Sequence, residues 1–371
     1  MQRTPIVDVL RGWALLGVVL VNFAIFYSFN RVQRVPPDDG LSQAAKLLVQ
    51  VVFQGKGWPA LALLFGYGFS AWIEKTRSRG VNPVPGFIRR MLFLLLIGLV
   101  NCALYYGDVL KDYAIVGLVV LMFHRVSART ALVLGATCLL AFPAAVAFTH
   151  RLGVVSPIPA PDIALYQSDE LWQVLKFGLQ SALNISLSLS KYADWNLVML
   201  GCAFLGVYIQ RIGLLENLDE NLPRVRRIFW SSLAFAIVTA GARFGAEKLG
   251  WNPDDYYDIH FWPMLGQMGF FMAGICWLYA RKRFQKFFGA FQSVGRMTLT
   301  NYFVQNLAAL LVFSGVGLGL LYRIPYSLHV GIALAIFIAQ IAFSRAWLAR
   351  HHQGPIEWVW RKLSHTNLTA T

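Results

Sequence analysis

Asp8 and Arg11 stand three residues apart in Asp8-Val9-Leu10-Arg11-Gly12, where the first long apolar run opens. At that spacing they share one helix face and can pair. Asn22 follows eleven residues beyond Arg11, three turns along a similar face and roughly 16 Å deeper. Lys56, in Gly55-Lys56-Gly57-Trp58, directly precedes the next apolar block. It is either a snorkelling anchor or a charge aimed at an anionic ligand. A third block carries Asn101 and closes on Tyr105-Tyr106-Gly107-Asp108, and a fourth opens on Lys111-Asp112-Tyr113. Two carboxylates and several phenols therefore meet at one tight turn. Paired with Lys111 or Lys56, Asp108 is an ordinary ion pair; desolvated, it can act as a general base.

His260, beside Asp258, is the one histidine of seven placed near that turn, and an acid–base role is open to it. Further along, Arg296 precedes Thr298, Asn301, Tyr302 and Gln305, which recur at intervals of three and four on one helix face. A polar stripe on a membrane helix faces protein or a water-filled cavity, so it serves as interhelical glue or as a ligand wall. No histidine spacing suits zinc, no Gly-x-Ser-x-Gly elbow occurs, and no metal is expected. Gly66 and Gly68 lack a preceding strand and read as helix-packing residues, not as a phosphate loop. The four cysteines all lie inside apolar blocks, where they act as small hydrophobes.

The elements that must position these groups are set by composition. Of 371 residues, 57% are hydrophobic and only 14% charged, with a mean hydropathy of +0.53. A soluble domain carries roughly 25% charged residues, so that class is excluded. Glycine and proline are scattered without period, which excludes fibrous and disordered classes. The net charge of +15 reports basic loops on one membrane side, and no nucleic-acid partner is expected.

Crossing a bilayer takes roughly 20 helical residues. Blocks of that scale predict ten spans, near 9–29, 57–74, 90–107, 109–124, 130–149, 196–212, 228–247, 261–280, 297–321 and 327–348. The expected architecture is all-α: a polytopic membrane bundle of about ten helices, one domain over 1–371, with both termini cytoplasmic. Segments 41–55 and 170–190 are too short or too amphipathic to cross. They belong to long outer-face connections at 30–56 and 150–195. Residues 350–371 form an interfacial tail, in which Gly354-Pro355 breaks the helix and Trp358, Trp360 and Arg361 suit the headgroup zone. With the N-terminus inside, twenty-two of the thirty-three Lys and Arg fall on inner segments, leaving +16 inside and −1 outside. Every inner loop obeys the positive-inside rule.

Five stretches carry a family resemblance: Asp8-x-x-Arg11-Gly12 with Asn22; Gly55-Lys56 through Leu64-Phe65-Gly66-x-Gly68-Phe69; Arg89-Arg90 through Gly107-Asp108-x-Leu110-x-x-Tyr113-Ala114; Gly295-Arg296-Met297-x-Leu299-Thr300-Asn301-Tyr302-x-x-Gln305; and Gly354-Pro355-x-Glu357-Trp358-x-Trp360-Arg361. In this order the chain resembles the YeiB-like bacterial membrane family, the domain of unknown function numbered 418. That family is distantly similar to transmembrane acyltransferases of the acyltransferase-3 and heparan-glucosaminide acetyltransferase types.

The resemblance implies a bundle in the bacterial inner membrane that moves an acyl group from cytoplasmic acyl-CoA to an external saccharide or other small acceptor. On that reading Asp8 and Arg11 organise the inner mouth and Asn22 and Asn101 hydrogen-bond the acyl carbonyl or acceptor. Asp108 is the base, with Lys56, Asp112 and Tyr113 beside it. The chain departs from the wider pattern at Gln33 and Asn101, where histidine is typical of the relatives. Two other classes stay open: a transporter or lipid-handling carrier, in which the polar residues line a pathway, and a non-catalytic scaffold.

Overall fold

The long apolar blocks leave no partner for backbone polar groups except within the segment, so they coil into helices. A computed structural model describes residues 4–26, 39–153, 162–188, 191, 195–250, 257 and 259–364. Gln33, Asp258, residues 30–38 of the first connection and 365–371 of the tail lie outside the described residues. The helices are α1 (Pro5–Ile25), α2 (Gly40–Val52), α3 (Gly57–Arg77), α4 (Pro83–Leu104), α5 (Leu110–Met122), α6 (Ala128–Arg151), α7 (Leu171–Ser186), α8 (Leu197–Arg211), α9 (Leu222–Lys248), α10 (Phe261–Ala280), α11 (Gln285–Gly295), α12 (Thr298–Phe313), α13 (Tyr326–Leu348) and α14 (Pro355–Ser364).

Each of the ten predicted spans overlaps a helix, although the one predicted at 297–321 is helical only over Thr298–Phe313, and α2, α7 and α14 occupy the three segments read as interfacial. Helix α11 falls in what the hydropathy pattern leaves as loop. Seven stretches among the described residues are long and apolar enough to cross a membrane: α1, the α2–α3 stretch, α4, α6, α9, α10 and α13. Helices α5, α8 and α12 are shorter, at 13, 15 and 16 residues.

Local chemistry fixes the helix starts. Asp39 accepts the Ser42 N–H at 2.7 Å ahead of α2, Asn82 accepts the Val84 N–H at 3.1 Å with Pro83 next, and Ser127 accepts the Thr130 N–H at 3.1 Å. Close backbone approach then sets the packing. A Cβ at Gly66 would fall on the Ala203 carbonyl, and one at Gly206 on the Leu63 carbonyl, so α3 and α8 meet through reciprocal glycines. The same device joins two sequence motifs: Gly12 lies on the Phe291 carbonyl and Gly295 on the Asp8 carbonyl. Asp8-x-x-Arg11-Gly12 is thereby pressed against Gly295-Arg296.

Helix ends that the charge pattern assigns to one side touch one another. Arg77 and Arg211 both donate to the His124 carbonyl, at 3.3 and 3.2 Å, and Arg296 donates to the His352 carbonyl at 3.3 Å. Helix α7 is amphipathic, and Leu175 packs on the core. Leu171, Leu179 and Leu183 are exposed, while Val174, Phe177, Gly178, Ser181 and Ala182 are buried. Gly178 brings that face close to the carbonyls of Cys102 and Ala103 at the end of α4, and Phe177 beside it packs on Tyr106 and Tyr166.

Candidate functional site

The described residues bring the chemistry-bearing groups into two adjoining places. The first is a cavity of ≈ 380 Å³ enclosed by α1, α3, α4, α5, α12 and α14. Its mouth carries Arg11, Arg90, Arg296 and Arg361; its shaft is apolar, with Leu15, Leu61, Phe65, Phe69, Met91 and Leu94; its blind end is closed by Val109, Leu110, Tyr113 and Tyr302. Along α3 the lining runs from Leu61 to Trp72, about 16 Å at helical rise, or half of a ~30 Å hydrocarbon core.

Each arginine at the mouth is held differently. Arg11 pairs with buried Asp8 at 3.5 Å and lies against Gly68, whose missing side chain leaves room for the guanidinium. Gly68 thus faces the cavity, whereas Gly66 makes the helix contact. Arg90 sits between two indoles, 5.3 Å from the Trp72 ring centre and 4.5 Å from that of Trp360. The Trp360 indole N–H also donates to the Arg90 carbonyl at 2.8 Å. Arg296 spends one terminal nitrogen on the His352 carbonyl. Its Nε is buried with no hydrogen-bond partner among the described residues. Arg361 lies on the exposed lip.

Glu357 is the single carboxylate on the described lining, and it is committed to structure. Its oxygens accept the N–H groups of Leu299 and Thr300 at 2.7 and 3.2 Å and the Thr300 hydroxyl at 2.5 Å. The carboxylate caps the start of α12 from outside the helix and fixes α14 to it.

The second place is the turn behind the blind end. Asn101 donates to Asp108 Oδ1 at 2.7 Å, and the N–H groups of Leu110 and Lys111 donate to Oδ2 at 3.0 and 3.3 Å. Lys111 Nζ reaches the Asp108 carbonyl at 2.7 Å and Asp112 at 3.3 Å. Lys191 donates to both Asp112 oxygens at 2.8 Å. All five side chains are buried, and two lysines balance two aspartates. Burial raises the Asp108 pKa above the ordinary carboxylate value, opposed by Lys111, Asn101 and the two backbone N–H groups.

The remaining candidates are distributed. Tyr113 lines the blind end and donates its hydroxyl to the Trp58 carbonyl at 2.8 Å. Lys56, 1% exposed, gives its ammonium to the carbonyls of Gln50 and Gln54, both at 2.9 Å, closing the end of α2. Asn22 is half-buried on α1, away from the cavity lining. His260 stands at the start of α10, its ring edge-on to Phe261. The polar stripe of α12 divides. Thr298 and Tyr302 face the cavity; Asn301 and Gln305 turn to α13, bonding Ser344 at 3.0 Å and Gln340 at 2.8 Å.

Sequence reasoning placed Arg90 and Arg361 only on the basic rim and read Trp360 as an anchor. The signal for Arg90 was present: it is a charge at the first position of a predicted span. Lys191 carried no signal, being a lone lysine in a polar connection.

The comparisons with known proteins agree with the family resemblance. Residues 209–367 match the family described as "Protein of unknown function (DUF418)". Uncharacterized protein YxaH of Bacillus subtilis is 26% identical, over 98% of this chain and 94% of its own length. Uncharacterized protein YeiB of Escherichia coli is 27% identical, over 98% and 97%. An uncharacterized 39.9 kDa protein from the amylase 3' region of Bacillus acidopullulyticus is 26% identical, over 98% and 94%.

Proposed function

We propose that this YeiB-like membrane protein is acyltransferase-like. It takes an acyl-CoA through the arginine-lined mouth and passes the acyl group to a saccharide or other small acceptor near the blind end. One observation carries the reading: a basic mouth continuous with an apolar shaft matches a donor that is anionic at one end and apolar at the other. The basic loops support an orientation with that mouth on the cytoplasmic side, where acyl-CoA is found, and the proposed location is a bacterial inner membrane. In the transfer, the acceptor oxygen or nitrogen attacks the thioester carbonyl, the C–S bond breaks, and the coenzyme leaves as the thiolate. The acceptor proton goes to a base. Asp108 is the proposed base, adjacent in sequence to Val109 of the blind end and within electrostatic reach of Tyr302.

Calorimetric titration of the full-length protein in a neutral detergent with acyl-CoA tests the donor. Saturable binding, weakened at least tenfold in Arg90→Gln, is the expected result. No heat up to millimolar donor overturns it.

A second reading, a lipid-handling carrier, draws on a different fact. Both oxygens of Asp108 already accept hydrogen bonds, and Glu357 is engaged at the start of α12. An amphiphile held without covalent chemistry needs neither group as a base. Release of coenzyme A thiol on adding membrane extract distinguishes the two, since only the transferase produces it.

A further inference from the structure

The charge on the described cavity lining is out of balance beside open volume. Four guanidiniums face one carboxylate, Glu357, and Asp8 stands behind Arg11. Arg90 and Arg296 make no ion pair among the described residues, which leaves two positive charges at a half-enclosed mouth. Among the described residues no acid pairs with Arg90; its guanidinium meets the faces of Trp72 and Trp360. Those indoles fix its plane and remove much of the entropy that an anion would otherwise have to overcome. Arg296 keeps a buried Nε–H without an acceptor among the described residues, although such groups are normally satisfied. Guanidiniums in a rigid frame, with donors to spare, are the pattern that binds phosphate oxygens bidentately.

We propose that this mouth is a subsite for a doubly charged phosphate, a monoester or diphosphate, on a molecule whose apolar part enters the shaft. At about 30 Å³ for a water-sized group, the ≈ 380 Å³ cavity has room for roughly a dozen such groups, enough for one short chain. Arg90 and Arg296 are the phosphate contacts, Arg361 closes the lip, and Trp360 is a positioning residue. A phosphodiester or carboxylate bears one charge and leaves the second unmatched, so the subsite discriminates by charge number.

This inference rests on the cavity being the ligand site of the proposed function, but not on the donor being acyl-CoA. The test uses the full-length protein in nanodiscs of zwitterionic lipid. Calorimetry measures decyl phosphate, decanoate, decyl maltoside and decanoyl-CoA, each in low and raised salt.

Decyl phosphate is expected to bind at least tenfold more tightly than decanoate and to lose tenfold or more in Arg296→Gln. Arg296→Lys is expected to recover part of that loss. Trp360→Phe is expected to retain affinity and Trp360→Leu to lower it, with unchanged melting temperature showing that each variant is folded. Equal affinity for decyl phosphate and decyl maltoside, or phosphate affinity indifferent to Arg296→Gln, overturns the subsite. If decyl phosphate binds through the arginines and decanoyl-CoA does not, the subsite stands for a lipid phosphate and the acyl-donor reading falls. If decanoyl-CoA binds, weakens in Arg90→Gln and is indifferent to Arg296→Gln, the donor reading stands and the subsite falls.

Discussion

The turn around Asp108 and the mouth around Arg90 are both crowded with charge, and they treat it in opposite ways. At the turn, two lysines meet two aspartates at 2.7–3.3 Å and every carboxylate oxygen has a donor. At the mouth, four arginines line one cavity with one carboxylate, and that carboxylate is turned away to cap a helix. Charge that is internally balanced makes architecture: it holds α4, α5 and Lys191 together. Charge left in excess beside open volume waits for a counter-charge from outside the chain.

Breaking the balance of the turn should have the largest effect. Asp112→Ala leaves Lys111 and Lys191 buried without their common carboxylate, a loss of about 3–5 kcal/mol. It should abolish the monodisperse peak of detergent-purified protein in size-exclusion chromatography. Asp108→Ala strands the Asn101 amide and two backbone N–H groups, costing roughly 2–3 kcal/mol by thermal melting. Asp108→Asn should cost less than about 1 kcal/mol, because Asn101 can turn its amide and offer Oδ1, which has no partner among the described residues. That variant therefore separates stability from chemistry: folded protein with no coenzyme A release is what the transferase reading expects.

Glu357→Gln keeps one acceptor at the start of α12 but loses the charge, a loss of about 1 kcal/mol in melting experiments. Removing a charge from the mouth should act in the reverse direction. Arg90→Gln or Arg296→Gln should change stability by less than roughly 0.5 kcal/mol, or raise it slightly, while affinity for anions falls. A destabilisation as large as that of Asp112→Ala would erase the distinction between the two regions.

Much of the frame was legible in the sequence. The ten apolar blocks are ten helices, because a hydrophobic run about 20 residues long has one good solution in lipid. The amphipathic segments 41–55 and 170–190 were recognisable as well. The packed face of α7 was not, since periodicity marks apolar residues whether they meet lipid or protein, and here Val174, Phe177, Gly178, Ser181 and Ala182 are the buried set. Asp8, Arg11 and Arg296 were readable as neighbours-to-be only as separate motifs; their meeting depends on Gly12 and Gly295 lying on each other's backbones. Lys56 looked like a ligand contact or an anchor, and its ammonium instead closes the end of α2. The pairing of Lys191 with Asp112, 79 positions apart, lies beyond any local pattern.

Arg11 and Arg361 share one opening, so α1 and α14 must find each other before it exists. Every other described wall of that opening precedes α14 in the chain, so a ribosome feeding the chain into a membrane delivers those walls first and the opening stays incomplete until α14 follows. A stop codon ahead of Pro355 would leave the spans in place while removing one side of the opening and the cap of α12 together. Any tag or fusion partner is better placed beyond Ser364 than within the ten residues before it.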